Sequence, residues 1–166
     1  MTNTNLRADA RNDAGIRRRM RPEEQWLAAQ HVQQNRFRGV VSAGIDRDGA
    51  TGALDTFLRM AAALNMHMVL EEKVYFPALQ GLRADVRAEI EELIAEHDVI
   101  RRDLAGIRRL LWANDGVKAR IEFDDLAARL AFHELIEEKL VARVMDRTPE
   151  RLCPFESRAC RTARER

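Results

Sequence analysis

HMVLEEKV occupies residues 67–74, and HELIEEKL occupies residues 133–140. The chain has only four histidines, and two of them open this same phrase. Each is followed four residues later by a glutamate, His67 by Glu71 and His133 by Glu137. On a helix, residues four apart share a face and sit about 6 Å apart along the axis. The neighbours decide which face. His67 is in phase with Met60, Leu64 and Val74, and His133 with Leu126, Leu130 and Leu140. These are apolar stripes, so both His-Glu pairs are expected to point into a core.

Working outward, turn signals divide the chain into four helical stretches. Pro22 suits a first helical turn, and Glu23 and Glu24 suit its positive end. A first helix is expected over 22–46, and DRDGATG (46–52) breaks it. A second, over 52–79, ends near Pro77 and Gly81. A third, over 83–112, ends at ANDG (113–116), and a fourth, over 118–146, stops before Pro149. No stretch alternates apolar and polar residues over strand length. The expected fold is all-α, an up-down-up-down four-helix bundle over 22–146 with flexible basic tails at 1–21 and 147–166.

Composition agrees with this. Aromatics are only 5% of the 166 residues, which favours helices over sheets. The net charge of +1 hides two basic tails, +4 over 1–21 and +3 over 147–166, which leaves −6 on the body. Basic tails suit nucleic acid or acidic lipid, but termini are where disorder concentrates, and solvated tails are the expected state. No secretory leader and no membrane span are evident, so the expected location is cytoplasmic. Cys153 and Cys160 both lie in the C-terminal tail, where free thiols are the default.

The other two histidines complete a pattern. The midpoints between successive histidines are Gly49, Leu82 and Asp115, each on or beside an expected loop. Residues equidistant from the turn of an antiparallel hairpin lie at one height. His31, His67, His97 and His133 are therefore expected at one level, one per helix. His97 is in phase with Ile90, Ile94 and Leu104 and points inward. His31 is in phase with Leu27 and, less cleanly, with Gln34, Asn35 and Arg38. His31 to His97, His67 to His133 and Glu71 to Glu137 are each offset by 66 residues, so the ligands come as two matched sets.

Two carboxylates in an apolar core are costly unless paired or bound to a cation. Besides the histidines, Arg101 is the inward base, with Arg38 less clearly placed. A metal accounts for His31, His67, Glu71, His97, His133 and Glu137 together. Mixed nitrogen and oxygen donors suit iron, manganese, copper or zinc. Two carboxylates between two pairs of imidazoles suit a dinuclear centre in which each carboxylate bridges.

The pattern His31, His67-x3-Glu71, His97, His133-x3-Glu137 closely resembles the hemerythrin-like (HHE cation-binding) domain. HMVLEEKVYFP, AEHDVI and HELIEEKL are similar to its signature segments, over about 25–146. Ferritin-like proteins use Glu-x-x-His instead, and the positions three before each histidine here are Ala28, Leu64, Ile94 and Leu130. The resemblance implies two Fe ions, a non-haem di-iron centre bridged by two carboxylates and an oxo or hydroxo group. Oxygen-carrying members use five histidines and this chain has four, which implies an added open position. The implied function is binding and activation of O2 or peroxide, as an oxidoreductase acting on a small organic substrate. The alternative is a module that senses O2, NO or redox state, or binds oxygen, without turnover. Glu72 and Glu138, about 100° around from the ligands, are expected to be surface groups or supports for them. Tyr75 and Arg38 are candidates to assist the centre, Tyr75 otherwise packing in the core.

Overall fold

A computed structural model describes the backbone of residues 3–146 and the side chains of residues 29–145. Among these residues the chain is all-α. The long helix α1 spans Asn3–Leu70, a π-helical turn spans Glu71–Tyr75, and α2 spans Phe76–Leu82. A 3-10 turn at Ala84–Val86 leads into α3 (Arg87–Trp112) and then α4 (Gly116–Asp146). No described helix is long and apolar enough to cross a membrane. Pro149, Cys153 and Cys160 lie outside the described residues.

The first two expected helices are not separated by a loop at 46–52. They meet within α1, parted at a single non-helical residue, Gly49 (φ 70, ψ −170). Positive φ is open to glycine at little steric cost, so one residue suffices to reverse the chain. The reversal is visible in distances. His31 and His67 would be about 54 Å apart on a straight helix, yet their ring centroids are 5.2 Å apart. A β-carbon on Gly52 would fall 2.3 Å from the Asp48 β-carbon, so glycine is needed there too. α1 therefore has two antiparallel arms, one before and one after Gly49.

The helix also begins earlier than expected, at Asn3 and not at Pro22. The Arg- and Ala-rich stretch before Pro22 consists largely of good helix formers. At the other turn, Asn114 (φ 58) and Asp115 follow α3. The Asp115 carboxylate accepts from the Lys118 backbone N–H at 3.1 Å, which caps α4.

A second correction concerns Val74, expected inside with His67. It is 51% exposed, and Tyr75 is buried instead. The cause is the π turn, in which the Phe76 N–H bonds the Glu71 carbonyl five residues back. One extra residue in the turn shifts everything after it by about 100°. Pro77, near the start of α2, supplies a reason. Its ring would clash with the Lys73 carbonyl in a regular helix, and the wider turn relieves that clash.

Two apolar clusters result. One lies toward Gly49 and includes Phe57, Met60, Leu64, Ile100, Phe123, Leu126 and Leu130. Its Phe57 and Phe123 rings meet edge-to-face, 6.4 Å between centroids, a geometry that adds about 0.5–1.5 kcal/mol beyond area burial. The other lies toward α2 and includes Tyr75, Phe76, Leu79, Ile90, Leu93, Leu140 and Val144. The histidines fall in sequence between the residues of the two clusters on both α3 and α4.

Candidate metal centre

All six sequence-selected donors are buried: His31, His67, His97 and His133 at 0–4% exposure, Glu71 at 1% and Glu137 at 0%. The structure gathers them into two overlapping groups. His31, His67, Glu71 and Glu137 offer ligand atoms all within 4.8 Å of one another. So do Glu71, His97 and His133. Glu71 belongs to both groups and Glu137 to one. The two also differ in local structure: Glu71 opens the π turn, whereas Glu137 sits in regular α4.

The Glu71 oxygens lie 2.7 Å from His67 Nε2 and 3.2 Å from His97 Nε2. Glu137 Oε2 lies 3.3 Å from His31 Nε2. The Nε2 atoms of His97 and His133 face each other at 3.1 Å. Yet both oxygens of Glu71, both of Glu137 and the Nε2 of His31 make no hydrogen bond among the described residues. Buried polar atoms that approach so closely without bonding are badly placed for each other. They are well placed for a cation that takes a lone pair from each.

The opposite edges of three of the imidazoles are tied down by carboxylates. His97 Nδ1 lies 2.8 Å from Glu72, which also accepts from Arg101 at 2.7 Å. His133 Nδ1 lies 2.8 Å from Glu96, and His31 Nδ1 lies 3.3 Å from Glu138. A carboxylate at Nδ1 keeps the proton there and leaves the Nε2 lone pair for metal. Phe76 stacks on His97 with the rings 18° from parallel and 5.8 Å apart, which further fixes that imidazole.

The electrostatics of the metal-free cluster are uneven. Burial disfavours protonated His31, but Glu137 and its neighbouring carboxylates outweigh burial and raise it to about 9. Burial pushes the Glu137 carboxyl up to about 8, with His31 opposing the rise and Glu71 adding to it. Burial also acts to raise Glu71, but His67 and His97 prevail and hold it at about 2. His133 is lowered, chiefly by burial. Protons held on ligand atoms must leave when a cation enters, so metal uptake near neutral pH releases protons.

One support of the imidazoles was not singled out in the sequence, Glu96. Glu96 carried no signal, because a glutamate beside a histidine is common on any helix. Arg38, less clearly placed than Arg101, is the more buried of the two. It is 8% exposed and pairs with Glu134 at 2.7 Å and with Asn35. Arg101 is partly exposed at the end of the Glu72 pair. Tyr75 is buried in the apolar cluster with Phe76 and Leu79.

A family model described as the hemerythrin HHE cation binding domain matches residues 24–145. No curated protein and no solved structure matches the chain.

Proposed function

We propose, for a chain that belongs to the hemerythrin HHE cation-binding domain family, a four-helix bundle that holds two iron ions and activates dioxygen or peroxide there. The two arms of α1, with α3 and α4, are its four rods. His31, His67 and Glu137 would hold one ion, His97 and His133 the other, and Glu71 both.

The observation that carries this reading is the unequal supply of donors, four residues in one group and three in the other. The poorer group leaves positions that a small ligand can take, which redox chemistry at a metal requires. Bound iron supplies one-electron redox and those open positions. The chain's own residues do the rest. Glu72, Glu96 and Glu138 hold the imidazoles in the tautomer that frees Nε2. The two apolar clusters limit access of water to the centre. The expected class is an oxidoreductase that consumes O2 or peroxide while oxidising a small donor.

The near-complete burial of all six donors favours a second reading, a module that binds O2 or NO without turnover. One experiment separates them. The iron-loaded protein is mixed with peroxide, or with O2 and a reductant, and both consumption and absorbance are followed. Turnover that falls at least tenfold in His133→Ala supports the enzyme. A reversible spectral change with no consumption supports the binding module. A fully loaded protein inert to both overturns the proposal.

A further inference from the structure

Gln34 lies three residues after His31 on the buried face of α1 that also carries Arg38, and is 6% exposed. Its Nε2 is buried and has no hydrogen-bond partner among the described residues. An unmet buried amide donor costs free energy that a leucine of similar size would not.

The surroundings offer it little. The register that aligns the four histidines aligns Gln34 with Leu64, Ile100 and Leu130, each three residues toward the Gly49 end. All three are buried and apolar. Arg38, one turn further on, is itself a donor and is held by Glu134 and Asn35. Glu71 and Glu137 lie on the other side of the histidine level, toward α2. Helical side chains lean toward their own N-terminus, which aims the Gln34 amide back at the level of His31. A lean of that kind would bring the amide toward the space between the imidazoles, on the side away from Glu71 and Glu137.

We propose that Gln34 is a specificity-determining hydrogen-bond donor to a small ligand bound on the histidine side of the centre. The ligand class is a compact anion with a lone pair on its outer atom, for which azide is the probe. A neutral amide favours such acceptors over apolar diatomics and, unlike Arg38, brings no charge. The inference rests on the reading of the histidines and glutamates as metal ligands, and its test keeps the two apart.

Azide is titrated into iron-loaded wild type, Gln34→Leu and Gln34→Glu, with metal content measured on each, and the metal-free proteins are melted. Gln34→Leu is expected to bind azide about tenfold more weakly, the size of one lost hydrogen bond. Its metal-free form is expected to melt higher than wild type, because the orphan donor is gone. Gln34→Glu keeps the shape, loses the donor and adds negative charge, so it binds azide more weakly still. Unchanged azide affinity in a fully loaded Gln34→Leu overturns the inference and leaves the metal reading intact. A lower metal-free melting point in Gln34→Leu also overturns it, since Gln34 would then serve the fold. A wild type that takes up no metal overturns both.

Discussion

The two halves of the candidate centre start from matched sequence and finish unequal. HMVLEEKV and HELIEEKL place a histidine and a glutamate at the same spacing, 66 residues apart. In the fold, Glu71 lies within reach of both histidine pairs, while Glu137 lies only with His31 and His67. They also differ in winding. Glu71 begins a π turn, and Glu137 is inside regular helix. Matched spacing sets height and face, and it does not by itself make the two glutamates equivalent.

The largest effect should come from attacking that difference directly. Glu71→Ala is expected to lose both ions, and Glu137→Ala mainly the one at His31 and His67. Elemental analysis of the two variants checks this, and equal losses would restore symmetry. A smaller contrast lies one step out. Glu72 is 17% exposed and is shared between His97 and Arg101, while Glu138 is 57% exposed at 3.3 Å from His31. Removing a carboxylate that orients a ligand histidine typically costs about 10–100-fold in metal affinity. Glu72→Ala should fall in that range and Glu138→Ala below it, as read by competition with a chelator. The smallest effect should follow Pro77→Ala. Freed of the ring clash, the π turn can relax toward α-helix and shift Phe76, which follows it, off the His97 ring. A drop in metal content of less than half, with the fold intact by circular dichroism, is the expected outcome. No change would mean that Pro77 does not maintain the turn.

A contrast in ion pairs gives a stability test. Arg38 and Glu134 are both about nine-tenths buried, whereas Arg59 and Asp55 are both more than 70% exposed. Arg38→Met would leave Glu134 buried and unpaired, at a cost of about 3–5 kcal/mol. Arg59→Met should cost less than about 1 kcal/mol. Urea unfolding of the two variants measures both.

Much of this was legible in the sequence. The midpoints at Gly49, Leu82 and Asp115 put four histidines at one height, and all four belong to the buried donor groups. The inward stripes through Leu64, Ile90 and Leu130 are likewise buried. Val74 was misread because periodicity assumes constant winding, and a π turn changes the phase with only Pro77 as a clue. The break at 46–52 shrank to Gly49 because one residue at positive φ reverses a chain without a loop. Arg38 was unclear because its partner, Glu134, lies 96 residues away on α4, and no local pattern encodes such a pairing.

Metal stoichiometry of the purified, iron-reconstituted protein, with its absorbance spectrum, tests the central claim most directly. The account predicts about two irons per chain, a number set by two donor groups sharing Glu71. It also predicts an oxo-bridge absorption band that changes on adding peroxide. One zinc per chain, or a single iron that Glu71→Ala leaves in place, would contradict it.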